Sequence, residues 1–115
     1  MKVSFDFDST LTRDDIQALA KRHIHFGDEV HITTTRRNNV SGFKIENEDL
    51  FKIASELKID EDNIHFTNYE DKVDYLTDFD MHYDDDEYEI DLITRSKIKC
   101  LGILINYKNY YVDNQ

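Results

Sequence analysis

The sequence predicts an α/β fold of three layers, with helices on both sides of a central five-stranded parallel sheet. Three observations predict it. Short apolar runs of strand type alternate along the chain with stretches of helical period, which implies parallel strands joined by right-handed crossovers. The last apolar run, residues 98–105, is continuous, as in a strand buried on both faces. The chain has 115 residues, no proline, and glycine only at Gly27, Gly42 and Gly102. With no linker, repeat or low-complexity stretch, the expectation is one domain over residues 1–115 around one core.

The elements follow in order. Residues 3–7 alternate apolar and polar and form the first strand. Thr12 can cap a helix whose apolar positions Ile16, Leu19, Ala20, His23 and Ile24 keep helical spacing, and Gly27-Asp28 ends it. Residues 30–33 form the second strand, and residues 36–46 are polar and loop-like. Asn47 can cap a second helix carrying Leu50, Phe51, Ala54 and Leu57. After a turn at residues 60–63, residues 64–66 make a brief third strand. Asn68 is placed to cap a short helix over residues 69–76. Residues 79–83 form the fourth strand and run into Asp84-Asp85-Asp86. A helix or turn follows through Leu92-Ile93, then the fifth strand over residues 98–105. The tyrosine-rich tail, residues 106–115, has no clear period and reads as an edge strand or a docked extension.

Composition bounds the function. Apolar residues make up 39% of the chain, enough for a globular core. There are 25 acidic residues against 14 Lys and Arg, a net charge of −11, which repels polyanions and disfavours long nucleic acid and acidic lipid as partners. Arg36-Arg37 can still form a local basic rim. No apolar run is long enough to span a membrane. Met1-Lys2 leads straight into the first strand, with no room for a signal peptide. The single cysteine, Cys100, allows no intrachain disulfide, and its apolar surroundings make it an inert buried thiol. The expected compartment is the cytoplasm.

The residues with chemistry follow the strands. Asp6 and Asp8 follow the first, Thr34 the second, Lys72 the third, and Asp84 with Asp85 the fourth. In a parallel sheet all four strand ends open on one edge, where ligands bind, so these groups converge on one crevice. Clustered carboxylates repel one another unless a cation joins them, which implies a divalent metal. Such a set suits phosphoryl transfer. Mg2+ bridges carboxylates and phosphate oxygens, a lysine and a hydroxyl hold the remaining oxygens, one aspartate attacks phosphorus, and a second moves the proton.

D-F-D-S-T at residues 6–10 resembles the D-x-D-x-T first motif of the haloacid dehalogenase (HAD) superfamily, whose members are mostly phosphatases. I-T-T-T-R at residues 32–36 is similar to the second motif, often T-x-R, a spacing that favours Thr34 over Thr33 or Thr35. Lys72 fits the third, and H-Y-D-D at residues 82–85 is similar to the fourth. The resemblance implies a Rossmann-like, HAD-like fold and a Mg2+-dependent phosphatase acting through an aspartyl phosphate. It implies Asp6 as nucleophile and metal ligand, and Asp8 as general acid/base that gives its backbone carbonyl to the metal. It implies Lys72 as the third catalytic residue, binding the phosphoryl group and neutralising Asp6. Thr34 would hold the phosphoryl group with Lys72, and Ser9, Thr10, Thr35 and Arg36 complete the expected substrate-binding set. Asp84 and Asp85 would complete the metal site with Asp6 and Asp8. Two departures stand out: Ser9 occupies a position where Gly is commoner, and no proline follows Lys72. Neither residues 11–33 nor residues 35–71 leave room for a cap domain, so a minimal, open-sited member is implied. Its phosphorylated substrate would be a nucleotide, a nucleic-acid end, a phosphoprotein or a small sugar phosphate.

Other readings compete. Residues 6–17 fail as a calcium loop, because Leu11 sits where Gly is required and Gln17 where Glu is required. His23 and His25 point apart on a helix and make no zinc site. His31, His65 and His82 lie in or beside strands and read as core or rim histidines. Arg36 and Arg37 could meet a second anionic group of the substrate. A receiver-type phospho-acceptor domain has the same residue types in another order, with the acid pair first, whereas here it comes last. A HAD-like scaffold without turnover is the remaining alternative.

Overall fold

The computed structural model of the chain describes residues 1–38 and 47–105. The loop expected over residues 36–46 lies largely outside the described residues, as does the tyrosine-rich tail.

The sheet is five-stranded and wholly parallel, in the order β3-β2-β1-β4-β5. Its strands are β1 (Lys2–Phe5), β2 (Glu29–Thr34), β3 (Ile64–Phe66), β4 (Met81–Asp84) and β5 (Leu101–Leu104). The helices are α1 (Asp14–His25), α2 (Glu48–Leu57) and α3 (Glu87–Ser96). The chain builds outward from β1 through β2 to β3, then returns to the other side of β1 for β4 and β5. The direction therefore switches between β1 and β4, where an open α/β sheet leaves a crevice at its carboxyl edge. Register sets Phe5 opposite Tyr83 across that switch. Asp6, just past β1, donates its backbone N–H to the Tyr83 carbonyl at 2.8 Å.

Strand alternation gives the sheet two unlike faces. Val3, Phe5, Val30 and Ile32 are buried with Ile16 and Ala20 of α1 and Leu50, Ala54 and Leu57 of α2 in the larger core. The opposite face carries Ser4, His31, Thr33 and His82, all buried and polar. A second apolar cluster, Leu76, Phe79, Ile93 and Cys100, brings α3 together with the segment before β4. No described helix is long and apolar enough to cross a membrane.

The structure redraws several expected boundaries. The first strand ends at Phe5, because Phe7–Leu11 winds into one wide turn in which Leu11 N–H reaches back to the Asp6 carbonyl and Thr12 N–H to that of Phe7. Thr12 lies in this turn, so α1 starts after Arg13 instead. Asn47 precedes α2 but does not cap it through its side chain; the carboxamide donates to the Arg37 carbonyl at 2.8 Å. The helix expected over residues 69–76 shrinks to a single 3-10 turn, Lys72–Tyr75, because Asn68 and Tyr69 both take left-handed backbone.

β4 starts at Met81, after Phe79 has closed a turn onto the Leu76 carbonyl. β5 is shorter than residues 98–105, and it is the outer strand of the described sheet. Leu101 is 59% exposed, so the expected burial on both faces fails there. The apolar run is continuous for another reason: Ile98 and Cys100 pack into the second cluster before the strand begins. Cys100 is buried as expected, and burial pushes its thiol up to about 11.

Candidate active site

β1, β4 and the turn before β4 deliver four charged groups to one point. Asp6 leaves β1 and Asp84 ends β4, both buried. Lys72 reaches between them. Its Nζ donates to Asp6 Oδ1 at 2.7 Å and to Asp84 Oδ2 at 2.6 Å. Asp85 stands beside them, half-buried. Asp6, Asp84 and Asp85 each offer an oxygen within 4.8 Å of the others. Thr10, fully buried on the wide turn, points its hydroxyl at Asp6 Oδ2 and Asp85 Oδ1, both at 3.2 Å.

Three residues outside the expected set hold this cluster. His82, fully buried, bonds through Nε2 to Asp84 Oδ2 at 2.8 Å and through Nδ1 to Ser4 Oγ at 3.0 Å. Ser4 continues the chain to Thr33 Oγ1 at 2.7 Å. Glu89 of α3 accepts the backbone N–H of Lys72 at 3.2 Å and so fixes the root of the lysine. His82 reads from sequence as a core histidine and is one; its partner is invisible until β4 is seen to set His82 and Asp84 on one face. Glu89 carried a faint signal. It sits one helical turn before the buried Ile93, on the inward side of α3, where an acid needs a partner.

The electrostatics are lopsided. Burial, with Asp84 close by, pushes the Asp6 carboxyl up to about 8 against the pull of Lys72. Burial would also raise Asp84, but its bond from His82 and the Lys72 charge bring it below the usual carboxylate range. Burial opposes the Lys72 charge, and the two aspartates more than offset it, so its pKa is raised. Burial lowers His82. Three carboxylates thus stand around one ammonium, and the cost of crowding them falls on Asp6, which burial disposes to hold a proton until a cation joins the site. An all-oxygen donor set with surplus negative charge fits a hard divalent cation.

The other expected residues lie around the rim. Asp8 is exposed on the wide turn, outside the carboxylate cluster, and its side chain is held by Arg36 through Nε at 3.0 Å and Nη2 at 2.7 Å. Arg36 also grips Asp49 of α2 at 2.8 and 3.0 Å, and these bonds raise its pKa further. Its guanidinium therefore serves two carboxylates of this chain. Ser9 adopts φ +61°, left-handed backbone in which Gly is at ease. Thr34, fully buried at the end of β2, accepts the Arg36 backbone N–H at 3.3 Å. Thr35 is half-buried, while Thr33 faces Ser4 beneath the sheet.

No known protein family's sequence profile matches this chain, and no curated protein matches it either.

Proposed function

We propose that the protein is a HAD-type, Mg2+-dependent phosphatase that works through an aspartyl phosphate on Asp6. The observation that carries the reading is the meeting of Asp6, Lys72, Asp84 and Asp85 at the sheet's switch point, with Lys72 bonded to both buried aspartates. These residues come from segments 66 and 12 residues apart in sequence. The two motif acids and the motif lysine, far apart in the chain, end within one ion's reach.

Asp6, Asp84 and Asp85, with the backbone carbonyl of Asp8, would hold the metal. When bound, Mg2+ would neutralise phosphate oxygens and so admit a dianion to an acidic site. Lys72 and the Thr34 segment would orient the phosphoryl group. An Asp6 carboxylate oxygen attacks phosphorus, the ester P–O bond breaks, and the leaving oxygen takes a proton from Asp8. Water then attacks the phosphorus of the acyl phosphate and gives its proton to Asp8. The P–O bond to Asp6 breaks, releasing inorganic phosphate and restoring both aspartates. Thr10 keeps Asp6 and Asp85 in register throughout. The cytoplasm, rich in Mg2+ and reducing enough for a lone thiol, suits such an enzyme.

The test is hydrolysis of p-nitrophenyl phosphate by the full chain. Turnover with Mg2+, abolished by EDTA and restored by added Mg2+, is expected. No turnover of this ester or of any phosphorylated metabolite in a broad screen would overturn the reading in favour of a scaffold.

A further inference from the structure

Beside the carboxylate cluster lies an open groove of about 340 Å3, lined by Asp8, Thr35, Arg36, Arg37, Asn47 and Tyr69. That size accommodates a small ligand. Three features mark it. Asn68 and Tyr69 sit at φ +54° and +68°, consecutive non-glycine residues in left-handed backbone. Such conformations are costly and persist where surrounding structure enforces them. Here the enforcement is visible: Thr67 N–H bonds the Thr34 carbonyl at 2.9 Å, Asn68 N–H that of Arg36 at 3.3 Å, and Tyr69 N–H that of Thr35 at 2.7 Å. The result is a tyrosine stitched to the end of β2 with its side chain left out, 74% exposed.

The second feature is Arg37. Arg36 is occupied by Asp8 and Asp49, whereas Arg37 makes no ion pair among the described residues. Its backbone is pinned by the buried Asn47 carboxamide. In a chain of net charge −11, an exposed guanidinium held at the mouth of a groove is a specific invitation to an anion. The third feature is Asp8 on the groove wall. A general acid stands next to the oxygen it protonates, so the leaving group occupies this groove.

We propose that the groove is a nucleoside subsite: the base stacks on Tyr69 and a second phosphate pairs with Arg37. This rests on the phosphatase reading only for which part of the substrate enters the groove. A stacking tyrosine and a guanidinium with no ion pair among the described residues suit a short nucleotide, while the acidic surface beyond turns long nucleic acid away.

The test is calorimetric titration of the Asp6→Asn protein with Mg2+, using three probes that it cannot turn over: adenosine 3′,5′-bisphosphate, adenosine 5′-monophosphate and ribose 5-phosphate. The bisphosphate should bind tightest, and ribose 5-phosphate at least about tenfold more weakly than the monophosphate. Adding Tyr69→Gly should close the gap between monophosphate and ribose phosphate. Glycine is at ease at this φ, so the melting temperature should be unchanged or higher. A merely structural tyrosine would lower it. Adding Arg37→Gln should erase the advantage of the bisphosphate.

Equal binding of adenosine monophosphate and ribose phosphate, a gap that survives Tyr69→Gly, or an advantage that survives Arg37→Gln would each overturn the proposal. The two readings fail separately. Selective nucleotide binding without hydrolysis by the wild type defeats the phosphatase and keeps the subsite. Hydrolysis of aryl phosphate without the binding pattern does the reverse.

Discussion

The two edges of the sheet use the same residue types to opposite ends. At the amino edge each carboxylate has its own cation. Asp28 binds the N-terminal ammonium and His23, both at 2.8 Å, Asp78 binds Lys2 Nζ at 2.7 Å, and Asp80 takes the Lys2 backbone N–H at 2.7 Å with Lys99 beyond. Those bonds hold all three carboxyls below the usual range. At the carboxyl edge Asp6 and Asp84 share Lys72 with Asp85 beside them, and burial drives Asp6 up to about 8. One edge is balanced and solvated; the other is buried and short of positive charge. The lesson is that acidity alone marks nothing in so acidic a chain. A site is marked by carboxylates that are buried together with too few cations.

The largest effect expected from breaking this contrast is on turnover. Asp6→Asn should lower kcat by at least about 10^4-fold, because the proposed nucleophile is lost. A variant retaining even a tenth of wild-type kcat with phosphate esters would exclude Asp6 from that role.

Lys72→Gln comes next. It leaves Asp6 and Asp84 facing each other with no cation, and should cost on the order of 3–5 kcal/mol in metal-free buffer. Mg2+ should then raise the melting temperature of this variant more than that of the wild type, since the ion replaces the lost charge. Equal shifts in the two proteins would show that lysine and ion do not answer the same charge.

The pH dependence is smaller and has a definite sign. Folded Asp6 titrates near 8, against an ordinary value of 3.8. Between these limits the folded state holds a proton that the unfolded chain lacks, so this group makes metal-free stability rise as pH falls from about 8. Below 6.5 the imidazoles of half-buried His65 and fully buried His82, whose pKa values burial lowers, oppose the trend. Denaturant unfolding in EDTA should therefore show stability increasing from pH 8.5 to about 6.5 in the wild type. The rise should be much smaller in Asp6→Asn, where the N-terminal ammonium paired with Asp28 is what still titrates near pH 8. A wild type whose stability falls over that window would contradict the charge excess.

The smallest effect belongs to the amino edge. Asp78→Asn breaks an exposed pair with Lys2 and should move the melting temperature by no more than about 3 °C, with kcat unchanged. A loss of turnover there would mean that the two edges are coupled.

Much of this architecture is legible before any coordinates. Strands betray themselves by apolar runs whose ends lie on the carboxyl edge, so Asp6 and Asp84 can be named from spacing, whereas Lys72, six residues past β3, arrives by way of the turn before β4. Boundaries are less legible where side chains override propensity. Asn47 has the right chemistry for a cap but is drawn to the Arg37 carbonyl. Phe79 has strand character but turns back toward Leu76. Relations across the sheet are not legible at all. Nothing local in residues 81–84 says that His82 will meet Ser4, or that Arg36 will leave solvent for Asp8 and Asp49. Those pairings arise when β1 is inserted between β2 and β4, a fact of topology that composition does not encode.

The most direct test is 19F NMR of the full chain with Mg2+ and beryllium fluoride, which mimics a phosphoryl group on an aspartate. The expected result is a protein-bound fluoride signal that needs both Mg2+ and Asp6, lost on adding EDTA and absent from Asp6→Asn. No bound signal in the wild type, or an equal signal in Asp6→Asn, would contradict a charge-deficient carboxyl edge built to carry a phosphoryl group.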